Sequence, residues 1–313
     1  MVIGFYFSMQ SRFSKNLALE WSRQSGNFLW PIFFVAPAVL GFLLWQLIPI
    51  AASLIISFTD STIIGETNWI GFQNYRQMFV SDQLFRQSLT VTFYYAIFSV
   101  PLRTIAAFFL AVLLNQRIHA RPVFRTIFYL PSIVPAIASS VLWIWLFNPD
   151  FGLLNALLEP LGFGKLQWIY STQTVIPSLV LMSLWDVGPM MIIFLAGLQS
   201  VPRFLYEAAE IDGANKWHKL IHITVPIVSP TILFNLILGL INALQTFTQP
   251  YVMTQGGPNN SSLLYVLYLY RKAFDQFQMG YASALAWVIF LAIAGLSYLV
   301  FRSSPHWVHY DGK

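Results

Sequence analysis

The sequence predicts an all-α integral membrane protein with six transmembrane helices and a cytosolic helix between spans four and five. Three observations carry this reading. Hydrophobic residues make up 57% of the 313 residues and charged residues only 9%, whereas soluble domains carry about 25% charged residues. Six stretches reach the roughly 20 apolar residues that a helix needs to cross a bilayer. Aromatics reach 17%, with 11 Trp, as suits a protein with two interfacial belts. Mean hydropathy is +0.63. The absence of Cys excludes disulfides and thiolate metal sites. The net charge of +5 comes without a basic stripe outside the apolar stretches, which argues against nucleic-acid binding.

Residues 1–27 place a short apolar run before their basic residues, the reverse of a signal peptide. They read as a cytosolic or interfacial lead-in, or as a plain surface helix. A single transmembrane domain follows over residues 28–303, with a cytosolic tail at 304–313. The first span covers about 28–58 and holds Pro31, Pro37 and Pro49, which predicts a kink or an interfacial turn. The others fall at about 88–115, 126–147, 174–199, 227–254 and 281–301. Between them, WIGFQNYRQMF (69–79) and PDFGLLNALLEPLGFG (149–164) predict short helices at the outer interface. Of the 17 basic residues, 11 lie at the N-terminus, between spans two and three, between spans four and five, or at the C-terminus. The positive-inside rule then places both termini and the 201–226 loop in the cytoplasm.

That loop is unusual in composition. Acids at Glu207, Glu210 and Asp212 precede Lys216 and Lys219, in the order a helix dipole favours. Ala208, Ala209, Gly213 and Ala214 leave one side without bulk, so Val201–Leu220 predicts a helix with a bare face suited to a cleft on another protein. Gly213 permits a bend or a close approach, and Pro226 opens the next span, where a missing amide is tolerated. A solvated connecting helix would show the same composition.

Span five carries Asn235, Asn242, Thr246 and Gln249 at spacings that share one face of a continuous helix, with Gln245 one position off it. Polar groups inside a span face a cavity or a neighbouring helix. The stripe therefore reads either as a solute pathway, with amides suited to hydroxyl-rich ligands, or as interhelical glue. Trp143, Trp145, Trp185 and Tyr251 offer flat faces to a sugar ring or to lipid. Asp186 lies inside span four, where it contacts a hydroxyl, pairs with Arg103, or sits near the outer mouth. The segment TQGGPNNSS (254–262) holds Gly256, Gly257 and Pro258 and predicts a turn, either a loop closure or a working part.

Glu207, Ala208, Ala209, Gly213, Ile223, Val225 and Pro226 together form a pattern that resembles the EAA loop of permease subunits in binding-protein-dependent ABC importers. Val225 departs from it, since Leu is commoner there. FLAGLQSVPRFLYEAAEIDGA (194–214), TQGGPNNSS, MGYASALAW (279–287), WIGFQNY (69–75) and FRTIFYLPSIVP (124–135) are similar to the sugar class of these permeases, the maltose-permease-like group. The resemblance implies the type I importer permease fold. It also implies a coupling helix, carried by Glu207–Ala209, Asp212–Ala214 and Pro226, that docks into an ATPase. Solute is expected on span five, and a binding protein or outer gate at Gly256–Pro258.

The implied partners are a second homologous permease, two ATP-binding-cassette subunits, an extracytoplasmic solute-binding protein and membrane lipid, in a bacterial or archaeal cytoplasmic membrane. No metal or cofactor is expected in this chain. GFGKL (162–166) lacks the spacing and the hydroxyl of a P-loop, so ATP and Mg are expected on the partner. The implied activity is ATP-driven sugar uptake by alternating access. An ion-gradient-driven secondary transporter is the rival reading.

Overall fold

A computed structural model describes residues 29–63, 65–116 and 119–309. The expectation for residues 1–27 lies outside them. Regular structure among the described residues is helical, apart from one isolated antiparallel bridge between Thr59 and Trp69. The chain divides into two units between Ile55 and Ile56.

The first unit contributes one apolar helical stretch, Phe33–Ile56, with no buried residue in its membrane-length window. Pro37 lies inside its first α-helical part, Leu29–Phe42. A π turn, Leu43–Leu47, follows and ends two residues before Pro49, with the Ile48 amide donating to the Leu43 carbonyl. The wider turn makes room for a proline ring that would otherwise press on the carbonyl four residues back.

The second unit holds the remaining five apolar stretches, and only two, spans two and six, run unbroken. Span two, Gln83–Asn115, is the longest helix, with 33 residues. Ser88, Thr92, Ala96, Ser99, Thr104, Ala107 and Ala111 form its buried stripe. Such small residues let neighbouring helices approach closely. The stripe packs against both halves of span four and against span five. Span six is Met279–Ser303. Span five continues without interruption from the preceding loop, so helix Lys216–Lys219, π turn Leu220–Thr224 and helix Val225–Leu244 form one rod.

Two stretches expected to be simple spans are bent pairs. Arg121–Ile133 and Ala136–Leu146 meet at 99°, and Val175–Asp186 and Gly188–Gln199 at 50°. Val134 and Pro135 span the first break with extended ψ angles, and Pro135 pushes Val134, the residue before it, out of helical geometry. At the second break, a Cβ on Gly188 would lie 2.7 Å from the Phe128 carbonyl, so the two bends press together where only glycine fits. Span five also breaks, at Gln245–Phe247, before a final helix Thr248–Met253.

Pro226 stands in the first turn of helix Val225–Leu244, as expected, but that helix continues a rod that begins at Lys216. The π turn Leu220–Thr224 ends two residues before Pro226, with Val225 donating to Leu220, which repeats the device seen at Pro49. The short helices predicted between spans appear as Gln73–Val80 and Leu153–Leu158. After span six the tail folds back: Val308 is buried, and the His309 amide donates to Ser229 Oγ at 2.8 Å.

Candidate functional site

The three breaks converge. A cavity of about 550 Å³ is lined by Pro131, Ser132 and Val134 from the span-three bend, and by Trp185, Asp186 and Pro189 from the span-four bend. Gln245, Thr246 and Phe247 from the span-five break complete that side. Irregular backbone at membrane depth survives where it lines a water-filled space, because its free amides and carbonyls still need partners. Tyr95 and Arg103 reach the cavity from the continuous span two.

Asn235, Asn242, Gln245, Thr246 and Gln249 all line this cavity, but a continuous helical face does not explain their grouping. The helix ends at Leu244, and Thr246 and Gln249 lie beyond the break. They lie on both sides of the interruption, and Gln245, one position off the stripe, lines the cavity with them. Asn235 is fully buried, and neither atom of its amide has a hydrogen-bond partner among the described residues. An unpaired buried amide is costly, and the cavity is where its ligand or water would sit.

Asp186 pairs with Arg103. A guanidinium Nη2 donates to the Asp186 carbonyl at 2.8 Å and lies 3.5 Å from its carboxylate. The pairing is loose, because Asp186 Oδ1 and Arg103 Nε have no partner among the described residues. The aromatics divide. Trp185 lines the cavity, and Trp143 is buried edge-on against it with ring centroids 6.2 Å apart. Trp145 is 71% exposed on the outside of its helix. Tyr251 stacks on Phe247 and is not part of the lining.

The loop between spans four and five forms two short helices rather than the continuous one expected over Val201–Leu220. Pro202 precedes Arg203–Ile211, which ends with Ala214 N–H donating to Ala209 C=O at 2.8 Å and Gly213 N–H to Glu210 C=O at 3.1 Å. This is a Schellman stop, with Gly213 at φ +77° in the left-handed position. It gives a physical reason for the spacing from Ala209 to Gly213: one supplies the closing acceptor, the other the only residue type at ease in the turn. Asn215 then caps Lys216–Lys219 by accepting from His218 N–H at 2.9 Å.

Glu207, Ala208, Asp212 and Gly213 are exposed, and Ala209 and Ala214 half-buried. The apolar Ile211 is 88% exposed at the tip. Lys219 holds Glu210 at 2.6 Å, and this hydrogen bond and charge lower the Glu210 carboxyl from its ordinary value.

At the opposite end of span two, Asp82 caps the helix by accepting from Phe85 N–H at 3.0 Å. Its other oxygen accepts from the hydroxyls of Tyr268 and Tyr281. Burial pushes this carboxyl up, but those hydrogen bonds, the Phe85 amide and the Lys272 charge outweigh it and hold it below the usual range. Lys272 lies over both tyrosine rings, at 5.5 and 5.2 Å. Sequence reading missed this cluster, as it missed Tyr95 and the span-three bend in the cavity.

Nearby, the 254–262 turn is tied by hydrogen bonds. Thr254 and Ser262 hydroxyls meet at 2.7 Å, and Ser262 Oγ also donates to the Gly257 carbonyl at 2.6 Å. Gly256 sits at φ +76°, and the Gly257–Pro258 bond is cis.

Residues 103–304 match the family profile described as "Binding-protein-dependent transport system inner membrane component". The chain belongs to that family. Among its relatives, the Bacillus subtilis probable ABC transporter permease protein YesP is 43% identical over 284 residues, 90% of this chain and 92% of the relative. The Bacillus subtilis arabinooligosaccharides transport system permease protein AraP is 32% identical, over 88% of each chain. A solved chain of the bacterial alginate ABC transporter, in complex with an alginate pentasaccharide-bound periplasmic protein, matches with a TM-score of 0.79. It covers 91% of this permease and 96% of its own length at 21% identity, which supports the fold alone. The permease fold expected from sequence is thus the one found, with its apolar stretches at 126–147 and 174–199 bent rather than straight.

Proposed function

We propose that this permease carries a sugar or oligosaccharide through the cavity at its three helix breaks, in a binding-protein-dependent ABC importer. The observation that carries the reading is the buried, unpartnered Asn235 amide beside Asn242, Gln245, Thr246 and Gln249 on the cavity wall. Amides exchange hydrogen bonds with hydroxyls on equal terms and add no charge. Discontinuous helices also occur in secondary transporters, so the breaks do not separate the two classes. Family membership favours the importer.

In this reading the termini and the 201–226 loop lie in the cytoplasm, as the distribution of basic residues supports. Glu207, Ala208, Ala209, Asp212, Gly213 and Ala214 seat in the cleft of a separate ATPase subunit that binds ATP and Mg, with Ile211 as the apolar tip. Pro226 lies in the rod behind them. A second permease subunit completes the pathway. The hydrogen-bonded 254–262 turn, with Gly256, Gly257 and Pro258, meets the solute-binding protein or gates the outer mouth.

Uptake by the complete importer in proteoliposomes tests both parts. Asn242→Leu with Thr246→Val is expected to slow uptake at least tenfold while leaving the complex assembled, and unchanged kinetics would return these residues to structural duty. Gly213→Trp is expected to leave the permease inserted yet abolish ATP-driven uptake. Gly213 is exposed and a Cβ there meets nothing within 4 Å, so a side chain can leave the turn toward solvent, at a local cost of positive φ of about 1–2 kcal/mol. Normal uptake by Gly213→Trp would refute docking at this turn.

A further inference from the structure

The solutes named for similar proteins differ in charge: arabinooligosaccharides carry none, alginate is acidic. We propose that Arg103 and Asp186 act together as the charge filter of the cavity, which accepts uncharged saccharides and disfavours acidic ones. The inference rests on the cavity being the solute's site.

Among the described residues that line the cavity, Arg103 and Asp186 alone carry formal charge. They lie 3.5 Å apart and cancel. A solute carboxylate would therefore enter a space whose one cation is already matched, and it would face an Asp186 side chain that is half exposed. Like charges at short range in a site of low polarity repel strongly. A hydroxyl meets the opposite situation. Among the described residues, Asp186 Oδ1 lacks a donor, Arg103 Nε lacks an acceptor, and the Asn235 amide lacks both. A hydroxyl donates and accepts in one group, so this mixed set of buried donors and acceptors, once a side-chain shift exposes it, suits a polyol rather than an anion, which only accepts. The Asp186 carbonyl accepts from Arg103 at 2.8 Å, which keeps the guanidinium in place beside the carboxylate.

The chain has no Cys, so a single Leu238→Cys on the cavity wall is a clean reporter within it. The assembled importer in nanodiscs, without ATP, is treated with a neutral maleimide. Labelling of this chain is followed against matched pairs of disaccharides and their uronates, such as galactobiose and digalacturonate. Uncharged members are expected to protect the thiol at concentrations at least tenfold lower than their acidic counterparts. Asp186→Asn leaves Arg103 unmatched and is expected to move the preference toward the uronates by at least tenfold. The double variant Arg103→Gln with Asp186→Asn is neutral again and is expected to return it toward the uncharged member.

Equal or better protection by the uronates in the unaltered pair would overturn the charge filter while leaving the cavity reading intact. Failure of every sugar to protect would overturn the cavity reading, and the filter with it. If Asp186→Asn fails to assemble, the comparison in the otherwise unaltered permease still decides.

Discussion

Asp82 and Asp186 both stand where a membrane helix begins or breaks, yet the fold treats them in opposite ways. Asp82 has both oxygens engaged, by the Phe85 amide and by two tyrosine hydroxyls from distant parts of the chain. Asp186 has one oxygen at a long 3.5 Å from its cation and the other without a partner among the described residues. A satisfied carboxylate fixes structure, since three donors would be orphaned by its loss. An unsatisfied one beside a cavity retains binding capacity for something that comes and goes. Partner count therefore separates the two acids better than position or residue type does.

The sharpest break of this comparison is Asp82→Ala. Hydrogen bonds to a charged group contribute about 1.5–3 kcal/mol each; with partial solvent access at this site, a loss of about 3 kcal/mol is expected. Thermal unfolding of the purified permease would show it as a clear drop in melting temperature. An unshifted melt would mean that the tyrosine hydroxyls find other acceptors.

A smaller effect follows from pH. Asp82 is held below its ordinary value in the folded state, so the folded protein binds that proton less readily than the unfolded chain does. Its stabilising contribution is complete above the unfolded carboxylate value near 4 and is lost as pH falls through the lower folded value. Acid titration of stability should thus be shallower below about pH 4 in Asp82→Ala. Parallel acid curves would remove this carboxyl from the account.

Smallest of all, Asp186→Asn is expected to cost less stability than Asp82→Ala, because it gives up one long 3.5 Å contact where Asp82 gives up three hydrogen bonds, and the Arg103 bond to the residue 186 carbonyl remains. A loss as large as that of Asp82→Ala, in the same melt, would erase the distinction between the two acids.

Much of the fold was legible in the chain, because a bilayer demands length and apolarity, and these are local properties. All six apolar stretches appear as helices or bent pairs. The breaks were harder to read. Pro131 and Pro135, and Gly188 with Pro189, mark two of them, but mean hydropathy over a span averages across such signals. The third, at Gln245–Phe247, has only Pro250 nearby.

The polar stripe on span five identified cavity residues, although its helix is interrupted at Gln245–Phe247, and Gln245, one position off the stripe, lines the cavity with them. In the 201–226 loop, Gly213 as a helix stop and Asn215 as the next cap are local signals. They were open to reading, although a continuous helix was expected. The Asp82 cluster was not, because its partners lie 186 and 199 residues away and nothing local ties tyrosines to that acid.

The uninterrupted helix from Lys216 to Leu244 has a mechanical consequence. At 1.5 Å per residue it is a push-rod roughly 40 Å long, rooted beside the Gly213 turn and ending at the Gln245–Phe247 break on the cavity wall. A helix is stiff along its axis, so a shove at one end arrives at the other with little lost between. On the coupling reading, the break is the joint where that shove becomes a change of cavity shape. The π turn at Leu220–Thr224 keeps the shaft in one piece despite Pro226.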